Sequence, residues 1–71
     1  MQVRYFEAID KDNLYFGEKF ICSRTQNSIP RKGDLMFVSE ESYRVAEVSW
    51  GISRKNEDEF MVDVVMVRAG I

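Results

Sequence analysis

The sequence predicts an all-β domain: a small five-stranded barrel or strongly curled antiparallel sheet with no substantial helix. Three observations carry this. Apolar and polar residues alternate in five separate runs, the period of a half-buried strand. No stretch keeps the helical period for the three turns a stable helix needs. Polar turn segments separate the runs at the spacing of small barrels. At 71 residues the chain is expected to be one domain, residues 1–71.

The first run covers residues 2–9. Val3, Tyr5 and Ile9 share one parity and Phe6 and Ala8 the other, so this strand is apolar on both sides toward its end. Asp10-Lys11-Asp12-Asn13 is a turn whose short side chains can bond their own backbone. Leu14 to Cys22 reads as the second strand, with Leu14, Phe16, Phe20 and Cys22 on one parity, and the two runs make a hairpin. Residues 23–33 are a polar loop with the single proline. Pro30 biases Ile29 toward an extended conformation, and Gly33 can supply a positive φ. A loop this long in so small a domain is either functional or mobile.

From Asp34 onward, Leu35 and Phe37 alternate with Met36 and Val38, and Ser39-Glu40-Glu41-Ser42 is a connection of hairpin length. In residues 43–50, Tyr43 and Val45 hold one parity while Val48 and Trp50 hold the other. A β-bulge near Ala46-Glu47 would bring all four to the core side. Residues 51–58 are a polar turn. In the last run, 59–68, Phe60, Val62, Val64 and Met66 line one face; Met61, Val65 and Val67 line the other, interrupted by Asp63. A strand apolar on both faces is central, part of a barrel wall, or at a subunit interface.

Composition closes several chemistries. The chain has no histidine and one cysteine, so neither a zinc site of ordinary ligands nor a Cys–His nucleophile can be built within it. No cofactor or metal is expected, and Cys22 reads as a small buried residue. Asp10-x-Asp12 begins like a calcium loop, but Leu14 and Ile21 stand where oxygen ligands belong. The carboxylate groups Glu40-Glu41 and Glu57-Asp58-Glu59 read as solvated charges. An enzyme is therefore not expected. Ten basic against twelve acidic residues give a net charge of −2, unlike a duplex binder. The segment Met1 to Glu7 breaks with charges before an apolar run forms, and no stretch reaches membrane-span length. The expectation is a cytoplasmic protein.

Two surfaces can carry contact. Arg24, Arg31 and Lys32 lie in the long loop and Arg54 and Lys55 in the turn after Trp50. If the loops meet, five cations face an anionic partner. Tyr15 and Tyr43 could add stacking faces for nucleic acid. The other candidate is the two-faced last strand, where Met61, Val65 and Val67 suit a protein contact.

The run Ile29-Pro30-Arg31-Lys32-Gly33-Asp34-Leu35-Met36-Phe37, followed by Tyr43-x-Val45-x-x-Val48-x-Trp50, resembles a layout in small bacterial and phage proteins that look like SH3-like β-barrels. The resemblance covers about residues 29–67. It implies a rigid turn set by Pro30 and Gly33 and tied by Asp34, with Tyr43, Val45, Val48 and Trp50 wrapping the core through the bulge.

The resulting expectation is a non-catalytic protein-binding module that can form a homodimer. An accessory protein of a phage or mobile element, or an inhibitor docking on a host protein, fits its size and charge. The alternative is a nucleic-acid-associated barrel using the basic loops.

Overall fold

A computed structural model describes residues 1–10, 12–13, 17–52 and 60–70, the side chains of Ile52 and Phe60 excepted. The alternating runs fold as β1 (Gln2–Ala8), β2 (Glu18–Thr25), β3 (Leu35–Val38), β4 (Glu41–Ile52) and β5 (Phe60–Arg68). They form one sheet in the order β2-β1-β5-β4-β3, curled into a half-barrel. The expected hairpin of the first two strands is present, and β3, β4 and β5 follow as an antiparallel meander. These units join through β1 and β5, which run parallel, Gln2 beside Met61 through Glu7 beside Met66. The sheet is therefore mixed and not purely antiparallel. Local alternation is the same for either direction of pairing. No helix long and apolar enough to cross a membrane occurs among the described residues.

The core lies on the concave face. Val3, Tyr5, Tyr43, Val45, Val62, Val64 and Met66 form it, with Ile21, Cys22, Ile29, Met36, Val38 and Val48 packed against them. Each fully buried valine or methionine stabilises by about 1.5–3 kcal/mol relative to exposure. β5 supplies Val62, Val64 and Met66, all fully buried, because it is the central strand.

Two bulges set which side chains reach this core. Between β4 and β5 the register steps from Val45 opposite Met66 to Glu47 opposite Val65, leaving Ala46 as the extra residue. The parity switch read in the sequence is this bulge. It brings Val48 opposite Val64 on the concave side. Trp50 follows the same parity, opposite Val62, but is 60% exposed and does not wrap the core as expected. Between β1 and β2 the register steps from Tyr5–Cys22 to Phe6–Phe20, with Ile21 extra. Cys22 therefore packs on the core, half-buried, whereas Phe20 lies opposite Phe6 on the convex face; the two do not share a side as simple alternation implied. Ile9, placed with Val3 and Tyr5 by parity, lies past the end of β1 and is exposed.

The turns form as their residues dictate. Asp10 accepts the Asp12 N–H through its carboxylate at 2.9 Å and the Asn13 N–H through its carbonyl at 3.1 Å. Asp34 Oδ2 accepts the Arg31 N–H at 2.8 Å, and the Asp34 N–H donates to the Arg31 carbonyl at 3.0 Å. Gly33 sits inside that turn at φ 95°, a conformation that strains any L side chain. β2 runs on to Thr25, so the loop begins only at Gln26, which the Tyr5 hydroxyl anchors by donating to Gln26 Oε1 at 2.9 Å. The turn expected at 51–58 begins later, because β4 runs on through Gly51 and Ile52. Leu14, Tyr15, Phe16 and residues 53–58 lie outside the described residues.

Candidate functional site

The unequal lengths of β3 and β4 create the most distinctive surface. β3 has four residues and pairs only with the segment Glu41 to Arg44 of the twelve-residue β4. Beyond Val45, β4 has β5 on one side and, among the described residues, no strand on the other. The segment Ile29 to Lys32 lies across that free side. Between them is a groove of about 480 Å³ with Ile29, Pro30, Val48 and Trp50 as its apolar part. Arg31, Lys32 and Glu47 supply its charge.

The groove is held by backbone bonds rather than by its own side chains. The Gly33 N–H donates to the Val45 carbonyl at 2.8 Å, and the Val45 N–H donates to the Asp34 carbonyl at 2.9 Å. Arg44 Nη1 adds a bond to the Gly33 carbonyl at 2.8 Å. The turn Arg31–Asp34 is thus fastened to β4 where the bulge begins. Pro30 and half-buried Ile29 bring the loop back over the core. Trp50 is exposed because β4 overshoots β3, so nothing described covers its ring from the β3 side.

Compared with known proteins, the chain matches no family model, no curated protein and no solved structure.

Of the basic residues singled out in the sequence, Arg31 and Lys32 share this groove with Trp50. Arg24 lines a different hollow, with Tyr5, Cys22, Met36 and Phe37, at the open seam between β2 and β3. Arg54 and Lys55 lie outside the described residues. On β5, Met61 is half-buried beside Arg4, Trp50 and Asp63. Val65 is 7% exposed, flanked by Phe6 and Glu47, and Val67 is half-buried opposite Arg44. Both edges of β5 are paired, so its two-faced apolar pattern reflects a central strand with a covered convex side. That face carries its own small cluster: Phe6 and Phe20 meet edge-on at 5.6 Å, with the Arg4 guanidinium 5.5 Å from the Phe6 centroid.

Tyr43, considered as a stacking face, is instead core. Its hydroxyl donates to Glu7 Oε1 at 3.1 Å, and Arg68 Nε bonds Glu7 Oε2 at 3.2 Å. Burial first, then the bond to Glu7, hold the Tyr43 pKa above its ordinary value. The charges of Glu7 and Glu41 raise that of Arg68. Glu41 lies 3.9 Å from Arg68, and Glu40 is exposed in the β3–β4 turn. These carboxylates are structural or solvated.

Residues that sequence reading missed are Ile29, Pro30 and Val48 as walls of one groove, and the exposure of Trp50. The only local signal was the long loop returning through proline to a strand that ends in tryptophan.

Proposed function

We propose that this protein is a non-catalytic binding module that takes an extended, acidic segment of another protein along the free half of β4. The observation that carries the reading is Trp50: 60% exposed, on the concave side, beside an unpaired strand and two cations. An added strand would satisfy the free backbone of β4, its apolar residues would rest on Trp50, Val48 and Ile29, and its carboxylates would meet Arg31 and Lys32. An accessory protein or inhibitor that docks on a host protein would act through such a groove.

Trp50 is the only tryptophan, so its fluorescence reports on the groove that it lines. Titration with an eight-residue peptide alternating Val or Leu with Glu should give a saturating change. Replacing Arg31 and Lys32 by Ala together should weaken it about tenfold. No change at millimolar peptide, or equal binding of a lysine-substituted control peptide, would sink the reading.

The second reading, single-stranded nucleic acid, is favoured by the same exposed indole beside two cations, a stacking platform with backbone contacts. Glu47 in the groove and the net charge of −2 weigh against it. Short single-stranded DNA in the same titration separates the two, because its binding would fall steeply with salt.

A further inference from the structure

The two edges of the half-barrel are not alike. β2 carries Glu18, Lys19 and Arg24, all exposed, and a bulge at Ile21, devices that keep an edge from pairing. β3 is Leu35-Met36-Phe37-Val38, with no charge, no proline and no bulge against β4. Leu35 is 54% exposed and Phe37 is 74% exposed.

The backbone of β3 points its unused groups outward. Val45 bonds both Gly33 and Asp34, and Val38 and Glu41 flank a two-residue turn. Because an antiparallel ladder bonds alternate pairs, Met36 and Val38 spend their N–H and C=O groups on β4. Leu35 and Phe37 therefore direct theirs away from it.

We infer that β3 is the contact between two copies of this chain, paired antiparallel about a twofold axis with Met36 opposite its own counterpart. This register sets Leu35 of each copy opposite Phe37 of the other on one face. Those two pairs are the ones whose N–H and C=O groups are free, so the ladder continues with four hydrogen bonds. It also runs the turn with Lys32 alongside the turn with Glu40 of the other copy, at both ends. Lys32 and Glu40 are exposed and of opposite sign, and no ion pair joins either to another described residue. A register one residue away would put core-facing Met36 against outward-facing Phe37 and lose the pairing of faces. Symmetry, backbone, side chains and charge thus agree on one arrangement. Four residues per copy bury well below the roughly 1,200 Å² of a standard interface, so the dimer belongs in the micromolar to millimolar range. This contact uses the free side of β3, which borders the hollow lined by Arg24, and shares only Lys32 with the groove along β4; it does not rest on the binding reading above.

The test is sedimentation equilibrium from about ten micromolar to one millimolar, followed across three variants. The wild type should approach twice 8.3 kDa at the upper end. Phe37→Pro removes a donor that β4 does not use. It should keep the far-ultraviolet circular dichroism and the Trp50 emission spectrum while remaining at monomer mass. Lys32→Glu should weaken the dimer about tenfold, and adding Glu40→Lys should restore it. A wild type at 8.3 kDa throughout overturns the proposal and leaves the edge to a strand of another protein. A folded Phe37→Pro that still dimerises, or a charge swap that does not rescue, overturns it as well.

Discussion

Arg4 and Asp63 meet across the parallel pair of β1 and β5, with Nε and Nη2 each 2.7 Å from a different carboxylate oxygen. They are direct register partners, so the one acid that interrupts the convex apolar face of β5 stands where β1 offers a guanidinium. The bond to Asp63 raises the Arg4 pKa, and Arg4 also lies over the ring of Phe6.

The pair is forked but partly exposed, at 40% and 31% of each side chain. A double-mutant cycle of Arg4→Ala and Asp63→Ala should give a coupling of about 0.5–1 kcal/mol, shrinking as salt is raised to 1 M. A zero coupling at low salt would show that the fork is ornamental to stability.

The Tyr43 hydroxyl gives an alkaline signature. Its folded pKa lies above the unfolded value, so the folded state holds this proton more tightly. The stability it contributes is fully present below about pH 10, the unfolded tyrosine value, and is lost as pH rises through the raised value. Urea midpoints should fall over that window, and Tyr43→Phe should flatten the fall. An unchanged slope in the variant would assign the loss to another group.

Ser39 and Glu40 turn β3 into β4 with φ of 50° and 66°, the two left-handed positions of a tight hairpin. Neither residue suits them. Ser39→Asn with Glu40→Gly should raise stability by about 1–2 kcal/mol in urea unfolding at micromolar protein. Loss of stability would mean that the Glu40 side chain holds the turn in a way its exposure does not suggest.

Ala46 exists to reset parity. Deleting it would drive Val48 out of the concave core and leave β4 beyond Val45 facing the wrong way. The cost should reach several kcal/mol, enough to unfold much of so small a domain. A deletion variant with a native-like melting temperature would refute this role, whereas Ala46→Ser should be nearly neutral.

By itself the sequence located the five strands, though not their ends, because side-chain direction in a strand alternates whatever its neighbours are. It also marked Ala46-Glu47 as the place for a bulge, since Tyr43 and Val45 cannot share a core with Val48 without an extra residue. The turn at Pro30 to Asp34 was legible too, because proline, glycine and aspartate act on the backbone within a few positions. The bulge at Ile21 was not legible, because Phe20, Ile21 and Cys22 are all apolar and either parity satisfies the pattern. Tertiary structure alone decided that β1 and β5 run parallel, that Asp63 finds Arg4, and that Trp50 stays exposed. Each depends on which strand lies beside which and for how many residues, and a strand's own alternation is identical for every choice of neighbour. The groove beside Trp50 exists because β3 stops after four residues while β4 continues for twelve, a mismatch between segments rather than a property of either one.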